Sequence, residues 1–193
     1  MPRVEFGRTN IAVPQAWVRL ANDGDRETIA RHALDSGSVI DLGGQHGLWG
    51  QFLRGEDFLL HVEGPSGLKN SPTREHAANI TEAHIIEVLC ALGRETIDFY
   101  TLNSVAPAEA LEGFFETIES ARHEGHVRYL GLNLTLPGSF ELWRANDAFE
   151  YVLVAGEGDA SFSGLTRSAT TDPRASSLAK ERRVGIVGVG GSE

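Results

Sequence analysis

Asp41, His46, His61 and Glu63 bring two carboxylates and two imidazoles into one short stretch of chain. These are the side chains that most readily exchange protons near neutral pH when burial or a neighbour tunes them. Residues 58–62 (FLLHV) read as a strand, in which alternate side chains share a face, so His61 and Glu63 point the same way. Asp41 closes the apolar run 39–42 (VIDL), and His46 follows Gly43-Gly44-Gln45 on a turn. Asn103, just past the run 97–102, offers an amide donor to a substrate oxygen. Arg19 offers a guanidinium that either clamps a carboxylate or enolate or pairs with Asp41 or Glu63. Each residue also has a plain structural role open to it. Asp41 can bind turn amides, His46 and Glu63 can sit at solvent-facing loop edges, and Asn103 can cap the turn before Ser104. The mix of His, Asp and Glu suits Zn²⁺ or Fe²⁺, but its spacing matches no metal motif, so no metal is expected. Trp49 is a candidate pocket wall, although aromatics more often fill cores.

The elements that must position these residues alternate between strand and helix. Helices are expected over 25–36, stopped by Gly37, over 73–92, with Thr73 as cap and Gly93 as stop, and over 107–124, 137–146 and 176–182. Strands are expected over 39–42, 58–62, 97–102, 127–132, 151–155 and 184–189. Such α/β alternation implies parallel strands joined by helical crossovers, in either a doubly wound sheet or a barrel. Residues 156–174, rich in Gly, Ser and Thr, read as a surface loop, and residues 1–193 as a single domain.

The bulk numbers exclude several classes of function. With 27 acidic and 17 basic residues the net charge is −10, which disfavours nucleic acid and anionic membranes as partners. The lone Cys90 rules out an internal disulfide and, within the apolar run 85–90, is expected to be buried and inert. No apolar signal region or span is seen, so a cytoplasmic location is expected.

Four segments carry a family likeness in matching order. Residues 6–13 (FGRTNIAV) resemble the LGRTGLKV opening of bacterial aldo-keto reductases, and 92–102 (LGRETIDFYTL) their LGxDYIDLYxLH strand. Residues 124–132 (EGHVRYLGL) resemble EGKVRYIGVS, and 183–189 (RVGIVGV) are similar to the GIGVIAYSP strand. The resemblance implies a TIM barrel with its site at the C-terminal ends of the strands. It also implies a barrel one strand and several helices short, lacking the part that grips the adenosine phosphate, and a homodimer is expected to cover the exposed edge. The family's catalytic Asp, Tyr, Lys and His fall on Asp41, His46, Glu63 and Asn103, so one of four is kept. The Ser-Asn that holds the nicotinamide carboxamide falls on Asn133-Leu134, and the Gln and stacking Tyr on Ala155 and Gly158. The GLG floor of the first strand falls on Trp17-Val18-Arg19.

The expectation is therefore an incomplete TIM-barrel-like α/β domain that acts without a cofactor. Asp41, His46, Glu63 and Asn103 would carry acid–base chemistry (dehydration, isomerisation or cyclisation) on an oxygenated carbonyl compound, in a setting such as natural-product biosynthesis. Arg19, His61, Trp17, Trp49 and Asn133 would hold the substrate. The alternatives are an NADPH-dependent aldo-keto reductase with a rearranged site, and a non-catalytic partner subunit.

Overall fold

A computed structural model describes residues 3–9, 11–14, 17–20, 24–156 and 173–190. A short antiparallel hairpin, β1 (Arg3–Glu5) with β2 (Ala12–Pro14), precedes a seven-stranded parallel sheet. Its strands are β3 (Trp17–Arg19), β4 (Val39–Asp41), β5 (Leu59–Glu63), β6 (Ile97–Leu102), β7 (Val127–Asn133), β8 (Tyr151–Gly156) and β9 (Gly185–Gly190), paired in chain order. The helices are α1 (Arg26–Ser36), α2 (His46–Leu53), α3 (Arg74–Leu92), α4 (Ala108–His123), α5 (Ser139–Ala145) and α6 (Pro173–Arg182). Strands in chain order, with crossover helices between most of them, make a TIM-type α/β barrel wall that is incomplete relative to the eight-stranded form.

Local chemistry sets the helix ends. Asp25 caps α1 by accepting from the Glu27 amide, and Gly37 closes it in the left-handed region. Thr73 caps α3 by accepting from the His76 amide, and Gly93 closes it. Two differences from the sequence reading stand out. The segment from His46 is the helix α2 and not a turn: Trp49 and Leu53 recur at helical spacing and are fully buried. Cys90 is exposed. The buried face of α3 runs Ala77, Thr81, Ile85, Val88 and Leu92, and Cys90 lies about 200° round the helix from Val88.

Alternation along the strands divides the apolar residues into two cores. Phe6, Trp17, Val39, Phe99, Tyr151, Leu153 and Val187 fill the inside of the sheet's curve. Ile40, Leu60, Val62, Tyr100, Leu130, Leu132 and Val152 face the helices on the other side. Glycine makes room where rings enter the inner core. A Cβ at Gly131 would overlap the Tyr151 ring, and one at Gly185 the ring of Phe6, which the hairpin delivers into the sheet's hollow. No described helix is long and apolar enough to cross a membrane.

Candidate active site

Five consecutive strands end in polar side chains. Arg19, Asp41, Glu63 and Asn133 are the last residues of β3, β4, β5 and β7, and Asn103 follows the last residue of β6. Parallel strands in near register bring these ends to one mouth. They form one hydrogen-bonded chain. Asn133 Nδ2 donates to Asn103 Oδ1 at 2.7 Å, and Asn103 Nδ2 donates to Glu63 Oε2 at 2.6 Å. Arg19 bridges the carboxylates, with Nη2 on Glu63 Oε1 and Nε on Asp41 Oδ2 at 2.8 Å. The Gly43 amide donates to Asp41 Oδ1 at 2.9 Å, so this carboxylate also holds the turn that follows it.

The chain continues from Asp41 into the barrel. His61 is fully buried, with Nδ1 2.6 Å from Asp41 Oδ1 and Nε2 2.7 Å from Thr101 Oγ1. Thr101 Oγ1 lies 2.7 Å from the hydroxyl of Tyr151, which is itself fully buried. Ionised Asp41 only accepts, so His61 Nδ1 carries the proton and donates to it. Where Nε2 is bare, Thr101 donates to it and Tyr151 donates to Thr101, so that each of these donors is used. Burial pushes the Asp41 carboxyl up, but the charges and hydrogen bonds of His61 and Arg19 outweigh it and hold the group well below the usual carboxylate range. Burial pushes the Tyr151 phenol far up, so it stays protonated.

Other residues expected at the mouth lie elsewhere. His46 turns away from it. Its Nε2 is 3.4 Å from Glu87 Oε1 on α3, and its ring meets that of His84 edge-on at 5.2 Å. Trp49 is fully buried in the core between helices and sheet and lines no opening. Trp17 lies inside the barrel, 4.9 Å from the His61 ring and packed on Phe99 and Tyr151, as a wall behind the mouth. Ala155 ends up near the close of β8, and Gly158 lies outside the described residues. Among the described residues no three His, Cys, Asp or Glu side chains gather to hold a metal.

Sequence reasoning missed Thr101 and Tyr151. Thr101 was within reach, because it stands two residues from Asn103 and alternation puts both on the inner face of β6. Tyr151 was not, because its part depends on the empty place above Gly131 on the neighbouring strand.

The sequence matches no family model and no curated relative. Solved structures do resemble it. An aldo-keto reductase from Bacillus halodurans superposes with a TM-score of 0.66 at 17% identity, over 96% of this chain and 63% of that one. The chain carries the aldo-keto reductase fold. An aldo-keto reductase from Klebsiella pneumoniae in complex with NADPH matches at a TM-score of 0.66 and 18% identity, over 95% of this chain and 66% of that one. One from Bombyx mori in complex with NADP matches at a TM-score of 0.59 and 14% identity, over 95% and 76%. This chain thus spans just under two thirds of the Bacillus and Klebsiella proteins.

These likenesses correct the expectation of a cofactor-free lyase, isomerase or cyclase, since structures of this fold carry NADPH or NADP. The geometry removes its parts as well. His46 is outside the mouth, and Asp41 and Glu63 are tied to Arg19. The strand-end mouth holds amide groups of the kind that pair with a carboxamide. Asn103 and Asn133 offer amide groups there, and the buried Ser104 Oγ and Gln45 Oε1, in loops after β6 and β4, have no partner among the described residues. None of the five strand-end residues is a phenol or an ammonium.

Proposed function

We propose that the chain is a nicotinamide-dependent oxidoreductase of the aldo-keto reductase kind with a rearranged site, acting on a small carbonyl compound. The observation that carries this reading is the single hydrogen-bonded chain formed by five consecutive strand ends, at the face where this fold places its chemistry. The NADPH and NADP complexes among its structural neighbours support it.

A bound reduced nicotinamide would supply the hydride. Asn133 and Asn103 would hold its carboxamide, each donating its second Nδ2 proton and Asn103 Oδ1 accepting, since Asn133 Oδ1 already accepts from the Thr135 amide and hydroxyl. The Arg19 side chain is 54% exposed and keeps Nη1 free of the two carboxylates, so it can donate to a carbonyl oxygen as negative charge develops there. Asp41 and Glu63 orient that guanidinium. Asp41 stays ionised and Tyr151 is sealed in the interior, so the proton that completes the alcohol would come from water at the open mouth.

Titration with NADPH and NADP⁺, followed by tryptophan fluorescence and calorimetry, tests the reading, because Trp17 stands directly behind the mouth. Saturable binding at micromolar cofactor is expected. No heat and no fluorescence change at millimolar cofactor would overturn it.

A further inference from the structure

The opposite, N-terminal face of the sheet holds a second polar cleft, of about 450 Å³. Arg3 of β1, Arg94 just past α3 and Arg128 near the start of β7 line it, together with Asp57 before β5 and Asp98 near the start of β6. Three guanidinium groups against two carboxylates leave one positive charge over, in a chain whose net charge is −10.

The pairing inside the cleft is uneven. Asp98 is almost fully buried and fully engaged: it accepts from the Leu60 amide at 3.0 Å, from Arg94 at 3.2 Å and from Arg128 at 2.7 Å. Arg94 Nη1 donates to the Phe58 carbonyl at 2.7 Å, with its guanidinium over the Phe58 ring. Arg128 gives only Nη1 to Asp98, and its side chain is 57% exposed. Arg3 is exposed and has no ion pair among the described residues. Burial pushes the Arg94 guanidinium down; Asp98 and Asp57 offset part of that, and the neighbouring Arg128 adds to it. Apolar side chains also line the wall. Ile11 and Leu34 are half-buried, and the Tyr129 ring stacks on Phe99 at 5.6 Å.

We propose that this basal cleft binds a small organic monoanion, a carboxylate on an apolar or aromatic body. The oxyanion lies between Arg3 and the free nitrogens of Arg128, whose planar forks match its geometry. The body lies against Ile11, Leu34 and Tyr129. This site is separate from the mouth, and its occupation does not depend on the redox reading.

The test uses three probes: benzoate, which has charge and ring, acetate, which has charge alone, and benzamide, which has the ring alone. Amide shifts are followed by nuclear magnetic resonance. Benzoate is expected to move the Ser38, Leu59 and Tyr129 signals saturably, with acetate and benzamide each weaker by about fivefold or more. Arg3→Ala and Arg128→Ala are each expected to weaken benzoate by about tenfold. Both variants should fold, since Arg3 has no ion pair among the described residues and Asp98 keeps Arg94 and the Leu60 amide. Three results would overturn the proposal: acetate binding as well as benzoate, benzoate shifts confined to Asn103 and Asn133, or benzoate affinity unchanged in both variants. Absence of saturable shifts at tens of millimolar benzoate would do so as well.

Discussion

His61 and His46 are both buried imidazoles, yet the protein treats them in opposite ways. His61 sits inside the barrel with each ring nitrogen matched, one to Asp41 and one to Thr101. His46 sits between α2 and α3 with Nδ1 buried and unmatched and Nε2 3.4 Å from the exposed Glu87. Beside it, His84 Nδ1 lies 2.9 Å from the Tyr100 hydroxyl. The difference comes from the element that carries each ring. A strand fixes His61 by its register with β4 and β6, so that partners on both neighbours meet it. His46 opens a helix whose apolar face is drawn into the outer core, and the ring follows that face whether or not a polar partner waits there. Buried polar groups cost free energy unless paired, so the interior chain is expected to be a source of stability and the outer pair a weak point.

The sharpest way to break this contrast is Asp41→Ala. The substitution strands the His61 Nδ1 proton in the barrel, removes one of the two carboxylates holding Arg19, and frees the Gly43 amide. Removing one partner of a buried charged network typically costs about 3–5 kcal/mol. Urea unfolding at neutral pH should show a loss of that order. A loss below about 1 kcal/mol, the range of surface pairs, would mean that the interior chain does not hold the barrel.

The outer pair should reveal itself through pH. Burial, and then the neighbouring His46, lower His84 from 6.5 to about 4, with Glu87 opposing. From α2 the ring faces His46, from its own helix Glu87, and from β6 the Tyr100 hydroxyl. Above pH 6.5 the imidazole is neutral in both folded and unfolded chains and pH has no effect through it. Between 6.5 and 4 the unfolded chain takes up a proton that the folded chain refuses, so stability falls as pH falls, by at most about 3 kcal/mol. Below about 4 this loss is complete. The slope of unfolding free energy between pH 7 and 4 measures it, after subtraction of the same slope in His84→Gln. Identical slopes in the two proteins would show that His84 titrates normally.

How much of this was legible in the sequence follows the same division. Strand periodicity, the caps at Asp25 and Thr73 and the stops at Gly37 and Gly93 are local signals, and the elements they mark form where expected. The shared face of His61 and Glu63 is equally local, and both residues do lie on the inner side of β5. His46 illustrates the limit. Two glycines before it suggested a turn and a side chain facing the mouth, but Trp49 and Leu53 pull the segment into a helix and rotate the ring outward. Tyr151 shows a further limit, since its place depends on Gly131, twenty residues earlier in sequence and directly opposite in the sheet.

The smallest expected effect sharpens the comparison most, because it predicts that a histidine within hydrogen-bonding distance of nothing buried is dispensable. In His46→Leu, the orphaned Nδ1 disappears, along with the desolvation cost of about 1–3 kcal/mol that an unmatched buried polar atom carries. What is lost is a long contact to a carboxylate that is 70% exposed, worth about 0–1 kcal/mol. Leucine also suits the packing of α2 against α3. Stability at neutral pH should therefore be unchanged or raised by about 1 kcal/mol. The acid-induced loss through His84 should shrink too, because His46 is the second contributor to its lowered pKa. A cost of about 2 kcal/mol or more in urea unfolding would mean that the imidazole has a buried partner after all, and the contrast with His61 would fall.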